Sequence, residues 1–152
     1  MRHAILMAAI LLAACGSKPG TTVVAKDGTT VTTGGDGGVT VHTDKATLTA
    51  GNAACANKPA FVPVYAGGST VTCVVGDERT GKTGGMMVYK VAAAPATVLA
   101  WSKEEAAKAG LAARIQTETM LSAGEANKRT LVVMVAAENA GTQATVTWGV
   151  EN

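Results

Sequence analysis

Residues 69–91 read STVTCVVGDERTGKTGGMMVYKV, and two incompatible folds compete for them. Within the stretch, GDERTGKT (Gly76 to Thr83) has the spacing of a phosphate-binding loop: Gly, four residues, then Gly-Lys-Thr, directly after the apolar run VTCVV. Such a loop joins a strand to a helix, which must begin at the Lys-Thr so that backbone N–H groups converge on phosphate. Here Lys82-Thr83 runs into GGMMVYKV. Two glycines start a helix poorly, and Met-Met-Val-Tyr-Lys-Val has strand composition. The stretch therefore reads as two strands joined by a polar connection of about ten residues, with Asp77, Glu78, Arg79 and Lys82 as solvated charges. No apolar strand ends in an Asp to hold magnesium, since Asp27, Asp36, Asp44 and Asp77 all sit in turn-like contexts. No nucleotide is expected.

Outward from this hairpin, RIQTETM (114–120), KRTLVVMVAAE (128–138) and QATVTWGVE (143–151) also have strand composition. In the last, Val146, Trp148 and Val150 share a face against Thr145 and Thr147, and Asn139-Ala140-Gly141 supplies a turn. Leu131 to Ala137 is apolar throughout, which predicts a central strand covered on both faces. Between strands lies APATVLAWSKEEAAKAG. Pro95 and Thr97 suit a helix start and Gly110 its stop. At 100° per residue, Val98, Leu99, Ser102, Ala106 and Ala109 form one stripe, with Trp101 at its edge. Lys103, Glu104 and Lys108 lie opposite, Glu104 and Lys108 as an i,i+4 pair. The class is α+β: a mainly antiparallel sheet with one amphipathic helix at about 95–109.

Upstream, residues 16–52 are rich in Thr, Gly and Val. TTVVAKDGTTVTT places alternating runs around Asp27-Gly28, a strong hairpin signal. VTVHTDKATLT repeats the unit about Asp44-Lys45. Two such small hairpins bury little alone, so they either dock on the following domain or form a stalk. KPAFVPVYAGG then opens the α+β domain, residues 53–152.

The chain begins MRHAILMAAILLAACGSKPG. Arg2 precedes an unbroken apolar run of 11 residues, Ala4 to Ala14. That is the layout of a secretory signal, and it is too short for a bilayer, which needs about 20. Leu12-Ala13-Ala14-Cys15 resembles the lipobox of bacterial lipoproteins, with a permitted residue at every position. The resemblance implies that the Cys15 thiol receives a diacylglyceryl group, that residues 1–14 are cut away as a signal peptide, and that the new amino group is acylated too. Three chains anchor a protein stably where one does not. Residues 15–52 then form a lipid-anchored Thr/Gly-rich linker carrying the two hairpins. Gly16 stands where an Asp would signal inner-membrane retention, which points to the outer membrane. The later domain resembles uncharacterised small envelope lipoproteins of Gram-negative bacteria, a likeness that implies no activity.

About 138 residues remain in the mature chain, the natural size of one domain. Losing Arg2 leaves 12 basic and 11 acidic side chains, no electrostatic footprint for nucleic acid. Cys55 and Cys73 remain, and in an oxidising compartment they are expected to form a disulfide. They are not spaced as C-x-x-C, so redox catalysis is not indicated. One mature histidine, His42, leaves no zinc set of His and Cys.

No catalytic constellation emerges, and neither an enzyme nor a cofactor is expected. His42 falls on a thin Thr/Gly strand as a solvent-facing residue. Glu104 and Glu105 are adjacent on a helix and point apart. Glu118 and Glu138 read as solvent-face strand residues, Met86, Met87, Met120 and Met134 as core filling, and Tyr65 and Trp148 as core anchors. The expected function is a non-catalytic binding or structural module, tethered at the outer membrane and facing the periplasm, with an envelope protein or peptidoglycan as partner. The alternative is a small-ligand carrier with a pocket between helix and sheet near Trp101.

Overall fold

The computed structural model describes residues 20–35, 37–78, 81–125 and 128–151. The signal segment, Cys15, Asp36 and Arg79 lie outside these residues. Six strands follow one another first: β1 (Thr21–Val24), β2 (Thr30–Thr33), β3 (Val39–His42), β4 (Ala46–Ala50), β5 (Ser69–Glu78) and β6 (Lys82–Val91). Helix α1 (Pro95–Lys108) comes next, then β7 (Ala112–Gln116), β8 (Met120–Gly124), β9 (Arg129–Glu138) and β10 (Gly141–Glu151). All ten strands form one sheet in the order β1-β2-β3-β4-β5-β6-β10-β9-β8-β7, and every neighbouring pair is antiparallel. The protein is thus mainly β with one helix. The chain zigzags to β6, crosses the sheet through α1 to the far edge, and zigzags back until β10 fills the place beside β6.

Local chemistry explains the elements. The hairpins predicted about Asp27-Gly28 and Asp44-Lys45 are present as β1–β2 and β3–β4. Gly28 has φ 84°, a region that glycine enters without strain, and the Asp27 carboxylate accepts the Thr29 N–H at 3.0 Å. That bond holds the Asp27 carboxyl below its ordinary value. These four strands continue the main sheet through β4–β5 pairing. Helix α1 has Pro95 in its first turn and no side-chain cap, so Thr97 is not its capping residue. Its end is a Schellman motif, with Leu111 N–H donating to Ala106 C=O and Gly110 N–H to Ala107 C=O.

One face of the sheet is covered. Alpha-helix α1 lies over β7, β8, β9 and β10, while a 3-10 helix (Asn52–Asn57) packs on β4 and β5. Beneath them Cys73, Met87, Tyr89, Leu121, Leu131, Val133, Ala144, Val146 and Trp148 are buried against Val98, Leu99, Ser102 and Ala106 of the helix. The Cys55–Cys73 disulfide, Cα to Cα 5.5 Å, ties the 3-10 helix to β5. Burial pushes the Tyr89 phenol up in pKa, opposed by the nearby Tyr65 backbone and Ser102 hydroxyl. Neither neighbour meets the phenol oxygen at hydrogen-bonding geometry.

Several sequence expectations change. Residues 114–120 are not one strand: β7 and β8 pair with each other across a turn containing Glu118, because Thr117 closes that turn by accepting the Thr119 and Met120 N–H groups on its hydroxyl. Strand β9 is covered on one face only. Its Leu131, Val133 and Val135 are buried, but Met134 is 47% exposed, since helix and 3-10 segment both fall on the same side. The connection after β5 is far shorter than ten residues, because β5 runs to Glu78 and β6 starts at Lys82. Asp77 is therefore a strand residue. On the helix surface Lys108 pairs with Glu105 at 2.7 Å rather than with Glu104.

Candidate functional site

The uncovered face of the sheet is where the sequence leaves chemistry unexplained. Side chains alternate along strands, so pairing registers identify those that share this face. Gly76 pairs with Gly84, and Gly84 with Gly149. Three glycines thus stand side by side on β5, β6 and β10 and form the floor of a furrow crossing the strands. One bank carries Val74, Met86, Thr147 and Val132, which pair in that order. The other bank carries Glu78, Lys82, Glu151 and Lys128. The glycines, Val74, Met86, Thr147 and the charged bank line an open groove of about 850 Å³, with Leu48 at one end and Arg114 and Glu125 at the other.

Strand glycine costs roughly 0.5–1 kcal/mol relative to alanine and marks a bulge, a bend or a close approach. The three do not share one cause. A Cβ at Gly84 would come within 3.1 Å of the Trp148 carbonyl oxygen, and one at Gly149 within 3.0 Å of the Thr130 hydroxyl. At Gly76 the nearest atom would be a Leu48 methyl at 3.5 Å, an ordinary contact. Packing therefore leaves Gly76 unexplained. Gly85, which faces the covered side, has a clear cause: a Cβ there would overlap the Trp148 ring.

The motif that resembles a phosphate loop is absorbed by this geometry. Gly76 lies inside β5, Gly81 takes φ 83° in the turn, and Lys82 and Thr83 open a strand, not a helix. The Lys82 ammonium pairs with the Glu151 carboxylate at 2.9 Å, and that hydrogen bond raises the lysine's pKa above its ordinary value. Both partners are about half exposed, so the pair contributes little to stability. Lys82→Ala is expected to leave the unfolding free energy unchanged. ATP and GTP should leave the melting temperature of parent and variant alike unmoved, as thermal denaturation would show.

The methionines divide in a way that the sequence did not reveal. Met87 is buried, but Met86, Met120 and Met134 all belong to the uncovered face, where Met120 and Met134 are cross-strand partners. Core filling thus holds for Met87 alone. Methionine is unbranched and polarizable, suited to surfaces that must adapt to a partner. Val23 and Ile115, exposed at 59% and 55%, extend the apolar rows toward both edges.

Other expected site residues are placed apart. His42 is exposed, its Nδ1 2.7 Å from the Thr47 hydroxyl. Glu138 pairs with Lys90 at 2.8 Å. Trp148 is a core anchor, whereas Tyr65 is half-buried and meets Trp101 edge-on with ring centroids 5.1 Å apart. A second open cavity of about 970 Å³ lies between the first turns of α1 and the β7–β8 turn, lined by Pro95, Leu99 and Ala100 and by Gln116 to Thr119. Among the described residues no group of three His, Cys, Asp or Glu is placed to hold a metal ion. No family model matches the chain, and no curated protein or solved structure shows significant similarity to it.

Proposed function

We propose that the chain is an α+β envelope lipoprotein, anchored through Cys15 at the outer membrane and facing the periplasm, where it acts as a non-catalytic binding or structural module. Its working surface is the uncovered sheet face. The observation that carries the reading is Gly76: a strand glycine that the fold does not need, at the floor of a groove with one apolar and one charged bank. Large exposed apolar areas on a folded protein mark interaction sites. The Cys55–Cys73 disulfide supports a compartment outside the cytoplasm. The partner class is an envelope protein or peptidoglycan. The groove itself favours a second reading, a small-ligand carrier using this furrow in place of the helix–sheet interface.

Two experiments test this. In the first, Cys15→Ser is expected to abolish incorporation of labelled palmitate, and label still entering the variant contradicts the anchor. In the second, Gly76→Leu fills the furrow from its floor. Mild crosslinking in cells followed by purification is expected to capture a partner with the parent chain and to lose it with the variant. Small molecules co-purifying with the parent alone favour the carrier. Identical capture by parent and variant removes the furrow from the account.

A further inference from the structure

We propose that the uncovered face is occupied by a second copy of this chain, the two sheets packed face to face about a two-fold axis parallel to the strands and between β6 and β10. The proposal rests on the reading of that face as the working surface and names its partner.

The charge pattern carries it. Across β5, β6, β10 and β9, the charged bank reads Glu78, Lys82, Glu151, Lys128: negative, positive, negative, positive. An alternating row of four is the complement of its own reverse. A two-fold axis along the strands reverses each row and keeps it facing itself. Glu78 then meets Lys128 of the second copy, and Lys82 meets Glu151. The two intrachain Lys82–Glu151 pairs join as a four-charge network at the axis, a firmer arrangement than isolated exposed pairs.

The apolar rows obey the same operation. Val39, Ala50, Val74, Met86, Thr147, Val132, Ser122 and Ile115 form one row through successive pairings. Reversed upon itself, it sets Val39 against Ile115, Val74 against Val132 and Met86 against Thr147. In the glycine row, Gly84 meets Gly149, which lets the backbones come close where the sheets cross. Toward the other end Lys90 meets the neutral Gln143. A two-fold axis across the strands, set at the middle row that contains Met86, instead brings Lys82 of one copy onto Lys90 of the other. The surviving arrangement is the aligned packing of two sheets, about 10 Å apart, seen in sandwiches. Two-fold dimers are also the commonest symmetric assembly.

The test uses the full lipidated chain in detergent, with mass measured by sedimentation equilibrium. The parent is expected to be a dimer. Glu78→Lys alone and Lys128→Glu alone each set like charges face to face and should weaken dimerisation at least about tenfold. An equimolar mixture of the two variants should regain parental affinity, because each charge then meets its opposite in the other chain. Circular dichroism of each variant controls for folding. A parent that stays monomeric overturns the proposal, as does a dimer indifferent to both charges, or variants that fail to rescue each other. If the parent is monomeric yet Gly76→Leu still abolishes capture of another molecule, the second copy is wrong and the binding module stands.

Discussion

Gly85→Val is expected to lower the unfolding free energy by about 3 kcal/mol, at the upper end of overpacking costs, whereas Gly76→Val leaves it unchanged or raises it by up to about 1 kcal/mol. The two positions belong to adjacent antiparallel strands and the same residue type, yet they face opposite sides of the sheet. At position 85 a Cβ overlaps the Trp148 ring and comes within 2.5 Å of the Val74 carbonyl oxygen. Backbone oxygen does not move aside cheaply, and Trp148 is only 3% exposed in a core that includes Met87 and Val146. At position 76 the added methyl groups point into an open groove, and a β-branched residue suits a strand better than glycine. Urea denaturation of both variants gives the comparison directly. Equal losses at the two sites contradict the assignment of faces on which the furrow depends.

The second large effect belongs to the disulfide. Cys55 and Cys73 close a loop with a sequence separation of 18, worth about 3 kcal/mol in the chain-entropy model. The bridge also holds the 3-10 helix and the following segment, with Val62, Phe61 and Tyr65, against the covered face. Replacing both cysteines by alanine is therefore expected to cost about 3 kcal/mol, a large part of the 5–15 kcal/mol typical of a domain. Reducing agent should destabilise the parent similarly and leave the double variant unmoved. A parent indifferent to reductant shows that the bridge does not hold the fold.

Much of the fold is legible where local chemistry is strong. Pro95 and Gly110 bracket α1 because one fits a first helical turn and the other a left-handed C′ position. Asp27-Gly28 and Asn139-Ala140-Gly141 mark hairpins for similar reasons. What escapes the sequence is which face of a strand is covered. Leu131 to Ala137 looks doubly buried because Val132 and Met134 are as apolar as Leu131 and Val133. Only the path of α1, which lies with the 3-10 segment on one side, shows that Met134 is left bare. The furrow is hidden for a related reason. Gly76, Gly84 and Gly149 are far apart in sequence and become neighbours through the β5–β6 and β6–β10 pairings. The late return of β10 to the centre of the sheet is long-range topology that no local pattern announces. Gly76 instead belongs to a loop motif, Gly76 to Thr83, whose strand-to-helix geometry this fold does not adopt.

The central claim, that the uncovered face is a binding surface occupied in the native envelope, is tested most directly by oxidative footprinting of methionines in intact cells and in the purified, dissociated chain. The account predicts that Met86 and Met134, 39% and 47% exposed in the isolated chain, react slowly in cells and quickly once dissociated, while buried Met87 stays slow in both. Equal, fast oxidation of Met86 and Met134 in both settings contradicts it.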